Sequence, residues 1–185
     1  MALPLFGSME RWRCIRRLLS ISIALWLAAG PVASQDLAVG SMWFQLGQDQ
    51  LTTMKEVSAR FTVVPVSGQP NTFFLSEKKP PNVRVIGGIE FKEGKLTWIQ
   101  RSWGNFIGLD SATDAAKAIY AALESASSAS GTSATISTRV QRVPDIEFKT
   151  VTLDFGRRRV TISSTDATPN AGGKQMDVTE SVRAQ

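Results

Sequence analysis

Histidine is missing from this 185-residue chain, and cysteine and tyrosine occur once each. Without imidazole there is no Ser-His-Asp or Cys-His catalysis, no histidine general base and no His-ligated zinc or haem. Cys14 lies before an apolar run, not at its end where a lipid-bearing cysteine would stand. It leaves with the leader described next, so the mature chain holds neither disulfide nor thiol. An enzyme built on this chain would have to run on carboxylates, lysine or hydroxyls. The residues nominate no catalytic group, no metal ligands and no cofactor site.

Long hydrophobic runs are also few. Leu18 to Ala29 is apolar apart from two serines, about a dozen residues, short of the roughly 20 needed to span a bilayer. Arg11, Arg13, Arg16 and Arg17 precede it, and Gly30-Pro31 and Val32-Ala33-Ser34 follow it. This is the pattern of a signal peptide over residues 1–34, cut before Gln35, which implies export to the periplasm or beyond. The eight residues before Met9 carry no charge, so Met9 is an alternative start. The leader takes +3 of the formal +5 with it and leaves about +2, too little for the basic face that nucleic acid requires. No membrane span is expected after cleavage.

The remaining residues suffice for one domain, or for two halves at 35–108 and 109–185. Residues 35–48 read as irregular with an apolar patch around Trp43 and Phe44. Leu51, Met54, Val57 and Phe61 recur at helical spacing and predict a helix from about Asp49 to Arg60, with Thr53 and Glu56 as a capping box. Strands are expected over Thr62–Val66 and Asn71–Ser76, with Lys78-Lys79-Pro80-Pro81 as a loop or edge. Val83 to Trp103 reads as a β-hairpin turning at Glu93-Gly94, with Phe91 facing Leu96 and Ile89 facing Trp98. That register gives Val85, Ile89, Phe91, Leu96 and Trp98 to the core. It gives Arg84, Ile86, Ile99, Arg101 and Trp103 to the other face.

Ser111 to Ala126 predicts a second helix capped by Ser111 and Asp114, its stripe of Ala112, Ala115, Ala116, Ile119, Leu123 and Ala126 lying close on a sheet. Further strands are expected over Ile136–Arg142, Ile146–Phe155, Arg158–Ser164 and Gln175–Val182. A bulge is expected at Lys149-Thr150 and a loop over 165–173. The fold class is α+β: antiparallel sheet with two helices packed on one face. A loose echo between the segment from Phe91 and that from Phe155 raises two divergent helix-plus-strands repeats.

Ser76-x-x-Lys79 lacks its partner motifs and runs into two prolines, and Asp154-Phe155-Gly156 stands without a kinase catalytic or phosphate loop; neither carries chemistry. Asp145 and Glu147 share a strand face, but glycosidase chemistry needs two carboxyls across a cleft. In Arg157-Arg158-Arg159, a turn at Gly156-Arg157 pairs Asp154 with Arg159 and Phe155 with Arg158, leaving Arg157 free. Arg84 is expected across from Trp103 in cation–π geometry. Exposed tryptophan and arginine with aliphatic neighbours have the make-up of a binding hot spot. The candidate binding residues are therefore Arg84, Ile99, Arg101, Trp103 and Arg157.

The short helix, the strand, the hairpin Gly88-x-x-Phe91-x-x-Gly94-x-Leu96 and a tryptophan at its end resemble uncharacterised exported bacterial proteins. More distantly they are similar to BamE-like and β-lactamase-inhibitor-protein-like domains. That resemblance implies helices on one face of an antiparallel sheet and a non-catalytic, protein-binding role. The lipid-bearing cysteine and the disulfides of those groups are missing here. The expectation is an exported binding or accessory module acting through a sheet face, with a protein partner in the envelope or outside the cell. The alternatives are a carboxylate-dependent hydrolase of cell-wall or polysaccharide substrates and a binder of anionic surfaces.

Overall fold

Apolar and polar residues alternate along most of the chain after Asp36, and strands are what form. The computed structural model describes residues 36–77, 84–108, 111–168 and 173–184. A hairpin of β1 (Leu37–Val39) and β2 (Met42–Phe44) leads to α1 (Gln50–Arg60), β3 (Phe61–Pro65), β4 (Thr72–Glu77), β5 (Val85–Lys92) and β6 (Lys95–Ile107). Then come α2 (Ala112–Ser130), β7 (Thr135–Val143), β8 (Ile146–Asp154), β9 (Arg158–Ala167) and β10 (Lys174–Arg183). Eight strands form one antiparallel sheet in the order β3-β4-β5-β6-β10-β9-β8-β7. The class is α+β and sheet-dominated. Among the described residues, no helix is long and apolar enough to cross a membrane. The expected leader, the Lys78-Lys79-Pro80-Pro81 loop and the middle of the 165–173 loop lie outside the described residues; β9 runs on to Ala167.

Local contacts set the start of α1 and the end of α2, while Ser111, expected to cap α2, makes no side-chain capping bond and donates instead to the carbonyls of Ile107 and Gly108. Asp49 caps α1: its carboxylate accepts from the backbone N–H of Leu51 at 3.0 Å and of Thr52 at 3.3 Å. The Thr53–Glu56 box expected there does not form, because Thr53 is buried and donates to the Asp49 carbonyl at 2.7 Å. In α2, Ala115, Ala118, Ala122 and Ala126 are buried, a stripe turned slightly from the expected one. These side chains are small enough to let the helix lie against β6, β9 and β10. Gly131 ends it at φ 94°, a conformation open to glycine.

One face of the sheet is covered. The segment expected to be irregular is the β1–β2 hairpin, which buries Leu37, Val39, Met42 and Phe44 against Leu75, Ile89, Leu96 and Ile99. Its strands are three residues each, too short to register as a pattern. Further along, Ala118, Ala122 and Ala126 pack with Phe155, Val160 and Val178.

The register of the central hairpin differs from expectation by one residue. Phe91 does face Leu96, but Glu90 pairs with Trp98 and Ile89 with Ile99, leaving Thr97 as an extra residue. Its hydroxyl donates to the Glu90 carbonyl at 3.2 Å. Because side chains alternate, this bulge exchanges the faces of the residues after it, until a second irregularity at Trp103 shifts the pairing of β6 with β10. Ile99, Arg101 and Trp103 turn to the covered side, and Trp98, expected in the core, turns to the open side. The bulge expected at Lys149-Thr150 is not there: β8 pairs with β7 and β9 in unbroken register. Its mixed pattern arises because β7 is exposed along its whole length, so burial imposes no alternation at this end of the sheet. The turn at Gly156-Arg157 is as expected, with Asp154 opposite Arg159.

A Cβ on Gly87 would sit 2.3 Å from the Gln100 carbonyl oxygen and 2.5 Å from Val39 Cγ1. Backbone cannot yield as a side-chain tip can. Gly87→Ala is expected to destabilise the fold by about 1–3 kcal/mol in urea unfolding, with an unchanged denaturant slope.

Candidate functional site

On the covered face of β10, Val178 belongs to one apolar cluster and Val182 to the other, and Glu180 stands between them with no solvent exposure. A buried carboxylate is tolerable only if its oxygens are satisfied. Here Oε2 accepts from Arg101 Nη2 at 2.5 Å and Trp103 Nε1 at 3.2 Å, while Oε1 accepts from Arg158 Nη1 at 2.6 Å and Ser125 Oγ at 3.1 Å. The Arg101 guanidinium also lies 4.0 Å over the Trp103 ring. Arg158 reaches on to the Asp36 carbonyl, and the largely buried Asp36 carboxylate accepts from Leu46 N at 2.8 Å and Arg157 Nη2 at 3.0 Å.

Three of the five candidate binding residues thus lie on the covered face. Ile99 is fully buried in the core, and Arg101 and Trp103 lie beneath α2, tied to Glu180. The cation–π partner of Trp103 is Arg101, not Arg84, which follows from the bulge at Thr97. Arg84 is exposed just before β5. Arg157, expected to be free, is half-exposed and paired with Asp36. The structure brings Arg101, Trp103 and Arg157 into one seam and leaves Arg84 apart. Sequence reasoning missed Glu180, which looks like any polar residue of an alternating strand. Its signal was its place between Val178 and Val182, on the inward parity.

The opposite face is a different surface. A depression of about 670 Å³ lies on it, lined by Phe74, Val85 and Trp98 at one side and by Gln100, Ser102, Thr161, Ser163, Thr179 and Ser181 across β6, β10 and β9. The Trp98 ring lies over Gly88, where an added Cβ would come within 3.1 Å of it. The charged groups here have partners within the face. Arg159 Nη2 donates to Asp154 at 2.6 Å, Arg183 to Glu90 at 3.2 Å, and Asn105 Nδ2 donates to Asp177 at 2.6 Å. A second hollow of about 280 Å³ lies between the start of α2 and the strands, with Lys149, Asp166 and Lys174 at its rim.

No protein-family model, curated protein or solved structure matches this chain.

The chemistry therefore has to be read from the groups themselves. Each hollow has one acid among its described lining residues, Asp177 in the larger and Asp166 in the smaller. Among the described residues no three His, Cys, Asp or Glu side chains converge as a metal site would need. Glu147, considered with Asp145 as an acid pair, is held by Lys149 at 2.5 Å and by Arg142. These hydrogen bonds, from Lys149 first and then Arg142, lower its pKa to about 2. Arg159, and then the Gly156 N–H, hold Asp154 below the usual carboxylate range. Neither group is poised as an acid near neutrality.

Both carboxyls are depressed in the folded state, so their contribution to stability is complete above the ordinary carboxylate range and fades on acidification. For Glu147 the loss runs from about 4.5 down to about 2. A carboxyl-detected NMR titration should place its midpoint near 2, and Lys149→Met should raise it. Glu180→Ala is expected to cost about 3–5 kcal/mol, because it strands Arg101 and Arg158. Arg157→Ala should cost less than about 1 kcal/mol, since that pair is half-exposed. Urea unfolding of both variants checks the contrast.

Proposed function

We propose that the mature chain is a non-catalytic binding module that works outside the cytoplasm and engages its ligand on the open face of its sheet. The observation that carries this is the contrast between the two faces. One is sealed by the hairpin, α2 and the Glu180 seam, while the other presents the depression of about 670 Å³ with Trp98 and Phe74 at its side. A concave surface with an aromatic edge and polar groups able to fix orientation has the make-up of a ligand site. The leader pattern of residues 1–34 supports export, and the lack of histidine in the sequence supports a role without acid–base catalysis. The pairing of open-face charges argues against an anionic surface as the ligand.

The two halves also read as divergent repeats that together build one domain. Each runs helix then four-strand meander, and the sheet order is mirrored about the β6–β10 contact.

The test is position-specific photo-crosslinking in the producing cell, with a benzophenone side chain at Thr161 on the open face or at the exposed Tyr120 on α2. An adduct from Thr161 and none from Tyr120 is the expected result. Equal labelling at both sites would remove the open face as the binding surface.

A further inference from the structure

The pairings of the sheet bring hydroxyl side chains into a single row on the open face. Ser137 on β7 pairs with Thr152 on β8, Thr152 with Thr161 on β9, Thr161 with Thr179 on β10, and Thr179 with Ser102 on β6. Five consecutive strands thus carry a hydroxyl at the same level, a run of about 19 Å at roughly 4.8 Å per strand. Among the described residues, none of these five hydroxyls makes a side-chain hydrogen bond within the protein. By contrast, Thr150 and Ser163 in the next row approach each other at 3.5 Å. Ser102, Thr179 and Thr161 of the row line the depression, which Trp98, four residues before Ser102 on β6, also lines, with its ring laid over Gly88.

From this row we infer that the ligand of the open face is a neutral, hydroxylated polymer, a polysaccharide chain lying across the strands; the inference rests on the open face being the binding surface. A hydroxyl both donates and accepts, so a row of them matches a ligand whose own groups are hydroxyls, whichever way each one points. The apolar C–H face of a sugar ring packs against an indole, which gives Trp98 a role on the wall of the same depression, four residues along β6 from the row. Net positive charge is not called on, because Arg159 and Arg183 are already paired with Asp154 and Glu90, and Asp177 is held by the neutral amide of Asn105. A protein partner fits less well: binding hot spots are built from tryptophan, tyrosine and arginine, and serine and threonine are under-represented in them.

The experiment uses the full mature chain and three neutral hexasaccharides as probes: a β-1,4-glucan, an α-1,4-glucan and a β-1,4-linked N-acetylglucosamine chain. Amide NMR shifts should move at Trp98, Ser102, Thr161 and Thr179 with at least one probe, and those of α2 should stay. Thr161→Val with Thr179→Val keeps β-branched side chains and deletes two hydroxyls. It should weaken that binding roughly tenfold, the loss of about two neutral hydrogen bonds. The variant's unchanged melting temperature would show the fold intact. If no probe moves the open face, or if the double valine variant binds as well as the parent, the sugar assignment is overturned. Should crosslinking from Thr161 still trap a protein in that case, the face remains the binding surface and only its ligand class is wrong.

Discussion

A carboxylate with no access to water needs positive partners held close, and Glu180 has two arginines, an indole N–H and a serine hydroxyl. Arg101 comes from β6, Arg158 from the start of β9 and Ser125 from α2, so one side chain on β10 fastens three other elements. An ion pair of this kind adds little net stability over a well-packed apolar group, but it penalises every arrangement that leaves one member alone. Sliding β10 by one residue would turn Glu180 to the open face and strand both arginines beneath α2. The seam thereby fixes how the mirrored halves of the sheet meet.

Once that junction is fixed, the two faces follow different chemistry. The covered side is mostly apolar, and Arg101 and Trp103 face inward there because Glu180 accepts from both, although Arg101 Nε is buried without a partner. Among the described residues no helix lies on the open side, so its residues are free to answer to solvent and, in the proposed reading, to a ligand. There the strands present serine, threonine and glutamine between paired charges, with Trp98 and Phe74 where β4 to β6 lie. The hydroxyls of the row are polar without being charged, which suits the proposed ligand, recognised by hydrogen bonds and ring stacking, better than one drawn by attraction at a distance.

Much of the fold could be read from local patterns. Asp49 before a helical period, the alanine stripe of α2, and the turns at Glu93-Gly94 and Gly156-Arg157 are short-range features, and short-range physics sets them. The face assignments after Leu96 were not legible, because Thr97 adds one residue without leaving a mark: the segment alternates smoothly on both sides of it. That one residue moved Ile99, Arg101 and Trp103 from the surface to the interior and brought Trp98 out. The hydroxyl row was visible only one residue at a time, as Ser102, Ser137, Thr152, Thr161 and Thr179, each on a different strand.

By itself, then, the sequence determined the chemistry that is impossible here, the kinds of element that form and the turns that join them, because each depends on residue type or on neighbours a few positions apart. Only the tertiary structure decided which strands lie side by side, which parity faces the core and which charges meet. These are settled by contacts between residues such as Asp36 and Arg157, or Arg101 and Glu180, far apart in the chain. The hydroxyl row, assembled across five strands, belongs to that second kind, since no single strand holds more than a fragment of it.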